Sequence, residues 1–412
     1  MRRFLVLHSS LQNHSFVKRE YDGLLNILAS DFDAQFDFLD NLESLPSSSK
    51  YEDFIISTGG VENIFLDLLK RNLVGTNVTL IADGRFNSLA ASMEILTYLN
   101  YNNIKAFIAY GSNEEISARL KEHPHVDFVN EQCGSAALSL SGDKIAVFGE
   151  PSDWLIASNV DRDFLKQKFN IDFVDIPLET LFRRFSLIDD NMVEFLATDF
   201  QAVTSRGETT ERDLLDSLKI YLAINQICQE NNCTCATVRC FSIIEKLKAT
   251  GCLALALLND EGIDAACEGD LQSLLSMILV RRVTGMPSFM ANPSAMSKDN
   301  HTTTFAHCTV PTTMCRRYGF RSHFESKCGL AVAGEFSPSE VYTIFKWGGE
   351  KLDRFFVEEA VSVVAPSNEN LCRSQLTLNF YNPEYMLNNP IGNHHIIVKG
   401  AFADKLRTAL KR

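Results

Sequence analysis

The 412-residue sequence predicts an α/β fold of two successive Rossmann-like, doubly wound domains followed by an antiparallel β-barrel. Two observations carry this. As far as about residue 285, short apolar runs of strand length alternate with amphipathic segments of helical period, the pattern of parallel βαβ units. After Met286 the helical period vanishes, and β-branched or aromatic alternation between turn residues takes over, as in a barrel or sandwich. The expected boundaries are 1–140, 141–286 and 287–412.

In the first part, Phe4–Leu7, Phe54–Ser57, Val78–Ala82 and Lys105–Ala109 read as buried strands. Helical patterns lie between them at Val17–Leu28, Val61–Lys70, Leu89–Leu99 and Glu114–Lys121. The strand-end turns Ser57–Gly60 and Asp83–Ser88 are rich in small residues, but no GxGxxG is present, which argues against a dinucleotide site. The Ser/Gly-rich segment Gly134–Asp143 separates this part from the strand Lys144–Phe148. The turn Gly149–Trp154 and strand Phe173–Ile176 follow, then a charged, irregular patch Asp189–Glu211 and a helix Glu211–Cys228. Strand Ala236–Cys240, a single helix Ile243–Leu258 and a further strand lead to an acidic corner at Glu268 and Asp270. The corner opens a helix, Leu271 to about Val283, and the strand Pro287–Ala291 comes next. Further strands are expected at His301–His307, Gly329–Ala333, Val341–Phe345, Ala360–Val364, Gln375–Phe380 and His394–Lys399, with a helix Phe402–Leu410 after them.

The formal net charge of −13 argues against nucleic acid, whose binders need a basic footprint. The longest apolar run, Leu274–Val280, is too short to span a bilayer. The stretch MRRFLVLHSS has an apolar stub and no small-residue cleavage site, so it reads as a buried strand, and a cytoplasmic protein is expected. The eleven cysteines show no paired CxxC, which argues against a structural zinc site and for free, buried thiols.

The acidic corner places Asp270 beside a helix N-terminus, where negative charge is favoured and where open α/β sheets bind ligands. Downstream, His307 ends one expected strand, His323 lies in Arg321–Ser326, and His394 with His395 follows the turn Gly392–Asn393. Carboxylates with imidazole suit a divalent cation such as Mn²⁺ or Mg²⁺.

The stretches Ala265–Thr312 and Pro390–Gly400 resemble the L-fucose/L-arabinose isomerase superfamily, most closely its fucose-isomerase-like branch. The resemblance implies an aldose–ketose isomerase with bound Mn²⁺, forming homo-oligomers, hexamers in that family. It places the ligand pair of the family, an Asp after a strand and a His before the last strand, on Asp270 and His394. The chain also departs from the family. The further catalytic glutamate falls at Ile243, with Glu245 two residues on, and a slip of two on a helix turns a side chain by about 200°. Asn292 stands where arabinose isomerases use a histidine.

The resulting expectation is a sugar isomerase with Glu268, Asp270 and His307 as catalytic residues. Asp270, His394 and Glu268 hold the metal, with Glu268 moving the proton. Asn292, His323, Arg321, Arg373 and His395 bind substrate, Glu325 joins His323 at the rim, and the arginines suit an anionic sugar. The partner is a small-molecule sugar, with no nucleic acid and no membrane. Two alternatives stand beside it. One is a non-catalytic sugar-binding or regulatory protein that lost the glutamate, the other an enediolate enzyme such as an aldolase.

Overall fold

The computed structural model describes residues 2–10, 12–39, 41–45, 49–122, 131–133, 140, 142–200, 202–203, 207–297 and 301–411. The expected separating segment Gly134–Asp143 lies for the most part outside the described residues.

The first sheet contains β1 (Arg2–Leu7), β2 (Ala34–Phe38), β3 (Tyr51–Ile56), β4 (Val74–Ala82) and β5 (Lys105–Tyr110). All five are parallel, in the order β2-β1-β3-β4-β5. Strand alternation sends Phe4 and Val6 to one face and Leu5 and Leu7 to the other. On the first face they meet α1 (His14–Phe32) and α4 (Asn113–Glu122) through Val17, Leu24 and Ile116. The opposite face packs on α2 (Glu62–Lys70) and α3 (Ser88–Tyr101) through Phe65 and Leu96. Helices thus cover both faces. β2, unforeseen in the sequence, is an edge strand with no fully buried residue.

β6 (Glu131–Gln132) comes next, followed by a second parallel sheet of β7 (Lys144–Phe148), β8 (Asp172–Ile176), β9 (Cys235–Val238) and β10 (Asp264–Cys267). Its order is β10-β9-β7-β8, and every residue of β9 and β10 is buried. The helices of this part are α5 (Arg162–Phe169), α6 (Leu178–Leu187), α7 (Asn191–Thr198), α8 (Glu211–Glu230), α9 (Cys240–Leu247), α10 (Cys252–Asp260) and α11 (Leu271–Thr284). Two expectations are corrected here. The patch Asp189–Glu211 contains a helix, α7, which buries Val193. The single helix Ile243–Leu258 is two helices, because Lys248 caps α9 in the left-handed conformation (φ 56°) and Gly251 begins α10.

The remaining elements are β11 (Phe289–Ser297), β12 (Thr302–His307), β13 (Arg317–Arg321), β14 (Ala331–Glu335), β15 (Val341–Gly348), β16 (Arg354–Ser362), β17 (Ser374–Asn379), α12 (Tyr385–Asn388), β18 (His395–Lys399) and α13 (Ala403–Lys411). Antiparallel pairing runs β15-β18-β11-β12-β17-β16 and returns from β16 to β15. β14, expected among these strands, instead forms a separate two-stranded sheet with β13. β6 pairs with β16, so a segment from within 1–140 is joined to the antiparallel sheet. Pro293 lacks an amide proton for the ladder, and the β11–β12 register shifts between Pro293 and Ala295, just beyond Asn292. No helix among the described residues is long and apolar enough to cross a membrane.

Glu62, in the first turn of α2, is buried, and its Oε2 has no hydrogen-bond partner among the described residues. Burial, reinforced by the charges of Glu94 and Glu268, pushes its carboxyl from the ordinary 4.5 up to about 8. The folded state therefore favours the neutral form. This stabilisation is full below the unfolded value near 4.5 and is lost as pH rises through about 8. We expect Glu62→Gln to exceed the wild type in stability by a few kcal/mol at pH 9 and by little at pH 4. Urea unfolding at both pH values reads this, and parallel profiles for the two proteins would overturn it.

Candidate active site

The acidic corner stands at the carboxyl end of β10, beside the ends of β9 and β7, where parallel sheets place ligand-binding groups. After Cys267 the backbone enters the left-handed region twice, at Glu268 (φ 64°) and Gly269 (φ 72°). A Cβ at residue 269 would lie 2.6 Å from Pro151 Cα, so glycine is required there. A left-handed glutamate is unusual, and such backbone gathers at functional sites. The turn leaves Glu268 outside the helix, with Trp154 Nε1 donating to its Oε2 at 2.5 Å. Trp154 comes from the turn after β7.

Asp270 plays a different part. It is the N-cap of α11, accepting from Ser273 N at 2.8 Å and Ser273 Oγ at 2.6 Å. Its Oδ2 also accepts from His394 Nδ1 at 2.9 Å, so both oxygens are engaged. His394 is fully buried, and with Nδ1 donating, its Nε2 is left as a lone-pair donor without a hydrogen-bond partner among the described residues. That nitrogen lies 3.5 Å from Glu268 Oε1. His307 Nε2 lies 3.9 Å from the same oxygen, while its Nδ1 is 3.0 Å from Thr309 Oγ1. Ligand atoms of Glu268, His307 and His394 all fall within 4.8 Å of one another.

These residues fit a divalent cation. One carboxylate and two imidazoles converge, one imidazole nitrogen is buried and unpartnered, and Asp270 stands behind His394 as the outer carboxylate that metal-bound histidines ordinarily have. The electrostatics agree. Burial would depress the His394 imidazolium, but Glu268 and Asp270 outweigh it and push it up to about 9. Burial would raise the Glu268 carboxyl, yet His394 and His307 hold it well below the ordinary carboxylate range. Burial of Asp270 is likewise outweighed, by Lys346 and His394, and its carboxyl is lowered. A pocket that so favours a proton on His394 favours any cation.

The cluster borders a cavity of about 30 Å³ whose lining includes Asn87, Phe241, Glu268, Asn292, His307 and Glu325, with His323 and several cysteines also in the wall. That volume takes water or an ion. Pockets that enclose a small-molecule ligand run to about 300 Å³ or more, well above this volume. Asn292, at the strand irregularity, is buried with its Oδ1 unpartnered among the described residues. Asn87 donates to Glu325 Oε1 at 2.7 Å. Burial, opposed by Asn87 and reinforced by the charge of Glu268, pushes the Glu325 carboxyl up to about 7.

Of the residues singled out in the sequence, Glu268, His307, His394, Asn292, His323 and Glu325 are brought together. Asp270 touches His394 and lies outside the converging ligand atoms. His395 points away from the cavity, into apolar packing with Phe305 and Phe356. Its Nδ1 contacts Asn393 O at 2.9 Å, Tyr385 hydroxyl meets its Nε2, and burial pushes it down to about 3. Arg321 is paired with Glu208 and Glu369 at 2.6 and 2.9 Å. Arg373 donates to Ser322 O at 2.8 Å. Both arginines line a separate groove of about 960 Å³, and among the described residues no arginine lines the small cavity. Ile243 is buried and Glu245 is exposed, so the two-residue slip brings no glutamate to the cavity; α9 contributes Phe241 and Ile244. Asn87 and Trp154 are new. Their signal was the two strand-end turns, Asp83–Ser88 and Gly149–Trp154.

No family model matches the chain. It is 28% identical over 153 residues to the sulfoquinovose isomerase of Clostridium sp. (strain MSTE9), covering 36% of this chain and 34% of that protein. It is 22% identical over 355 residues to the sulfoquinovose isomerase of Alkalicoccus urumqiensis, covering 78% of this chain and 76% of that protein. The first match thus spans about a third of the relative's length, the second about three quarters, and both are with proteins named as sugar isomerases.

Proposed function

We propose that the chain is a metal-dependent aldose–ketose isomerase acting on a sugar through an enediolate. The observation that carries this is the convergence of Glu268, His307 and His394 in a buried pocket, with Asp270 behind His394. The similarity to two sulfoquinovose isomerases supports an enzyme of this class. The ring of strand pairings supports reading residues 287–412 as a barrel domain after two doubly wound ones. The resemblance adds a homo-oligomer, hexameric in that family.

Glu268, His307 and His394 would hold the divalent cation, Mn²⁺ or Mg²⁺, which when bound supplies Lewis-acid stabilisation of negative charge on the sugar oxygens. Asp270 keeps His394 in the tautomer with Nε2 free. Trp154 fixes one oxygen of Glu268. Asn292 Oδ1 accepts from a sugar hydroxyl. Glu325 takes the proton from C2 of the open-chain aldose and returns it to C1, while the hydroxyl proton passes from O2 to O1. Glu325 suits this better than Glu268, because a base works best when its pKa lies near the working pH. Burial pushes the Glu325 carboxyl up to about 7, whereas His394 and His307 hold Glu268 below the ordinary carboxylate range despite its burial.

A second reading, sugar binding without turnover, rests on the buried Ile243 and exposed Glu245. One experiment separates the two. Protein stripped by chelator is assayed with and without Mn²⁺ on neutral aldoses and on sulfoquinovose, the sugar in the relatives' name. We expect ketose formation that disappears with the metal and returns with it. Stoichiometric sugar binding with no ketose under any metal would favour the second reading.

A further inference from the structure

We propose a second cation site in the wall of the same cavity, built on sulfur, in which Cys252, Cys308, Cys372 and His323 bind zinc(II). The four residues come from separate segments: Cys252 opens α10, Cys308 follows β12, His323 follows β13 and Cys372 precedes β17. All are buried, at 5%, 2%, 7% and 7% exposure, and all line the cavity. Ligand atoms of Cys252, Cys308 and His323 lie within 4.8 Å of one another. Cys372 lines the same cavity and packs in the same cluster as Cys252 and Cys308.

Small buried thiols often act as plain hydrophobes, and here they do pack with Ala306, Phe324, Ala331 and Leu371. His323 packs edge-on against Phe241, and its Nδ1 is engaged by Ser326, whose hydroxyl lies at 3.0 Å and whose amide donates at 3.3 Å; metal binding at Nε2 would make Nδ1 the donor, to the Ser326 hydroxyl. A closed Cys₃His set is a structural zinc site, with Zn–S near 2.3 Å and Zn–N near 2.0–2.1 Å. In a tetrahedron those lengths put donors about 3.5–3.8 Å apart, so Cys252, Cys308 and His323 would close by about an ångström and Cys372 would turn in as the fourth ligand. Each thiol would release its proton to solvent as the metal binds. Thiolates select zinc, whereas the neighbouring carboxylate and imidazoles also suit Mn²⁺ or Mg²⁺, so ligand softness sorts the two metals. The sites are joined by one peptide bond, between His307 and Cys308, and zinc would fix the end of β12 that presents His307.

Cobalt(II) titration of the full chain tests this without any assay of activity. The wild type should develop thiolate-to-cobalt charge-transfer absorption that one equivalent of zinc abolishes. The band should persist in Glu268→Gln and vanish in the Cys252→Ser/Cys372→Ser double variant. Alkylation followed by peptide mass spectrometry gives a second readout in unmodified protein. Zinc should protect Cys252, Cys308 and Cys372 while leaving the half-buried Cys328 reactive. No charge-transfer band in the wild type, or equal alkylation of the three thiols with and without zinc, would overturn the proposal.

Discussion

Glu268→Gln is expected to lose isomerisation by about 10³-fold or more, together with metal retention. An amide cannot replace the anion that His394 and His307 face at 3.5 and 3.9 Å. Metal catalysis supplies several kcal/mol of charge stabilisation, and each 1.36 kcal/mol is tenfold in rate. The informative control is Asp270→Asn. Asp270 acts through His394, 2.9 Å away, so its loss should weaken metal affinity by about 10–100-fold and be rescued by excess Mn²⁺. Metal content after dialysis and initial rates against Mn²⁺ concentration distinguish the two. If excess Mn²⁺ rescues the Glu268 variant and fails on the Asp270 variant, the two roles are reversed.

The second large effect is at Glu325. Glu325→Gln keeps the hydrogen-bonding shape next to Asn87 but cannot accept a proton. General-base catalysis is ordinarily worth about 10²–10⁴-fold, so kcat should fall by that factor with metal content unchanged. A C2-deuterated aldose adds a direct readout: the wild type should transfer or wash out the label, the variant neither. Full washout in Glu325→Gln would return the proton transfer to another group.

Much of this was legible in the residues themselves. Apolar runs such as Phe4–Leu7 and Lys144–Phe148 announce buried parallel strands because both faces of those sheets are covered. The acidic corner was visible because a helix cap has a local signature. The division of labour within it was not, since it depends on Glu268 and Gly269 both adopting left-handed backbone. That geometry sends Glu268 to the histidines and leaves Asp270 capping α11. His394 stands just before β18 and His395 opens it, and the two side chains face different surroundings, so which of them meets the site was a matter of register. Asn87 and Glu325 reach the cavity, and Trp154 reaches Glu268, from three distant segments; turns and motifs marked each place locally, but no local pattern encodes their meeting. The sulfur cluster was hidden for the same reason: its members are scattered from Cys252 to Cys372 and form no CxxC.

The position of β18 has a consequence for the growing chain on the ribosome. β18 lies between β11 and β15, yet it is synthesised after both. Until residues 395–399 emerge, β11 and β15 each present an unpaired edge, the kind of surface on which nascent chains aggregate. The residue just before β18 is His394. The strand that seals those edges thus delivers the last member of the histidine–carboxylate cluster, and a chain terminated before residue 394 lacks both the pairing of β11 and β15 with β18 and the complete cluster.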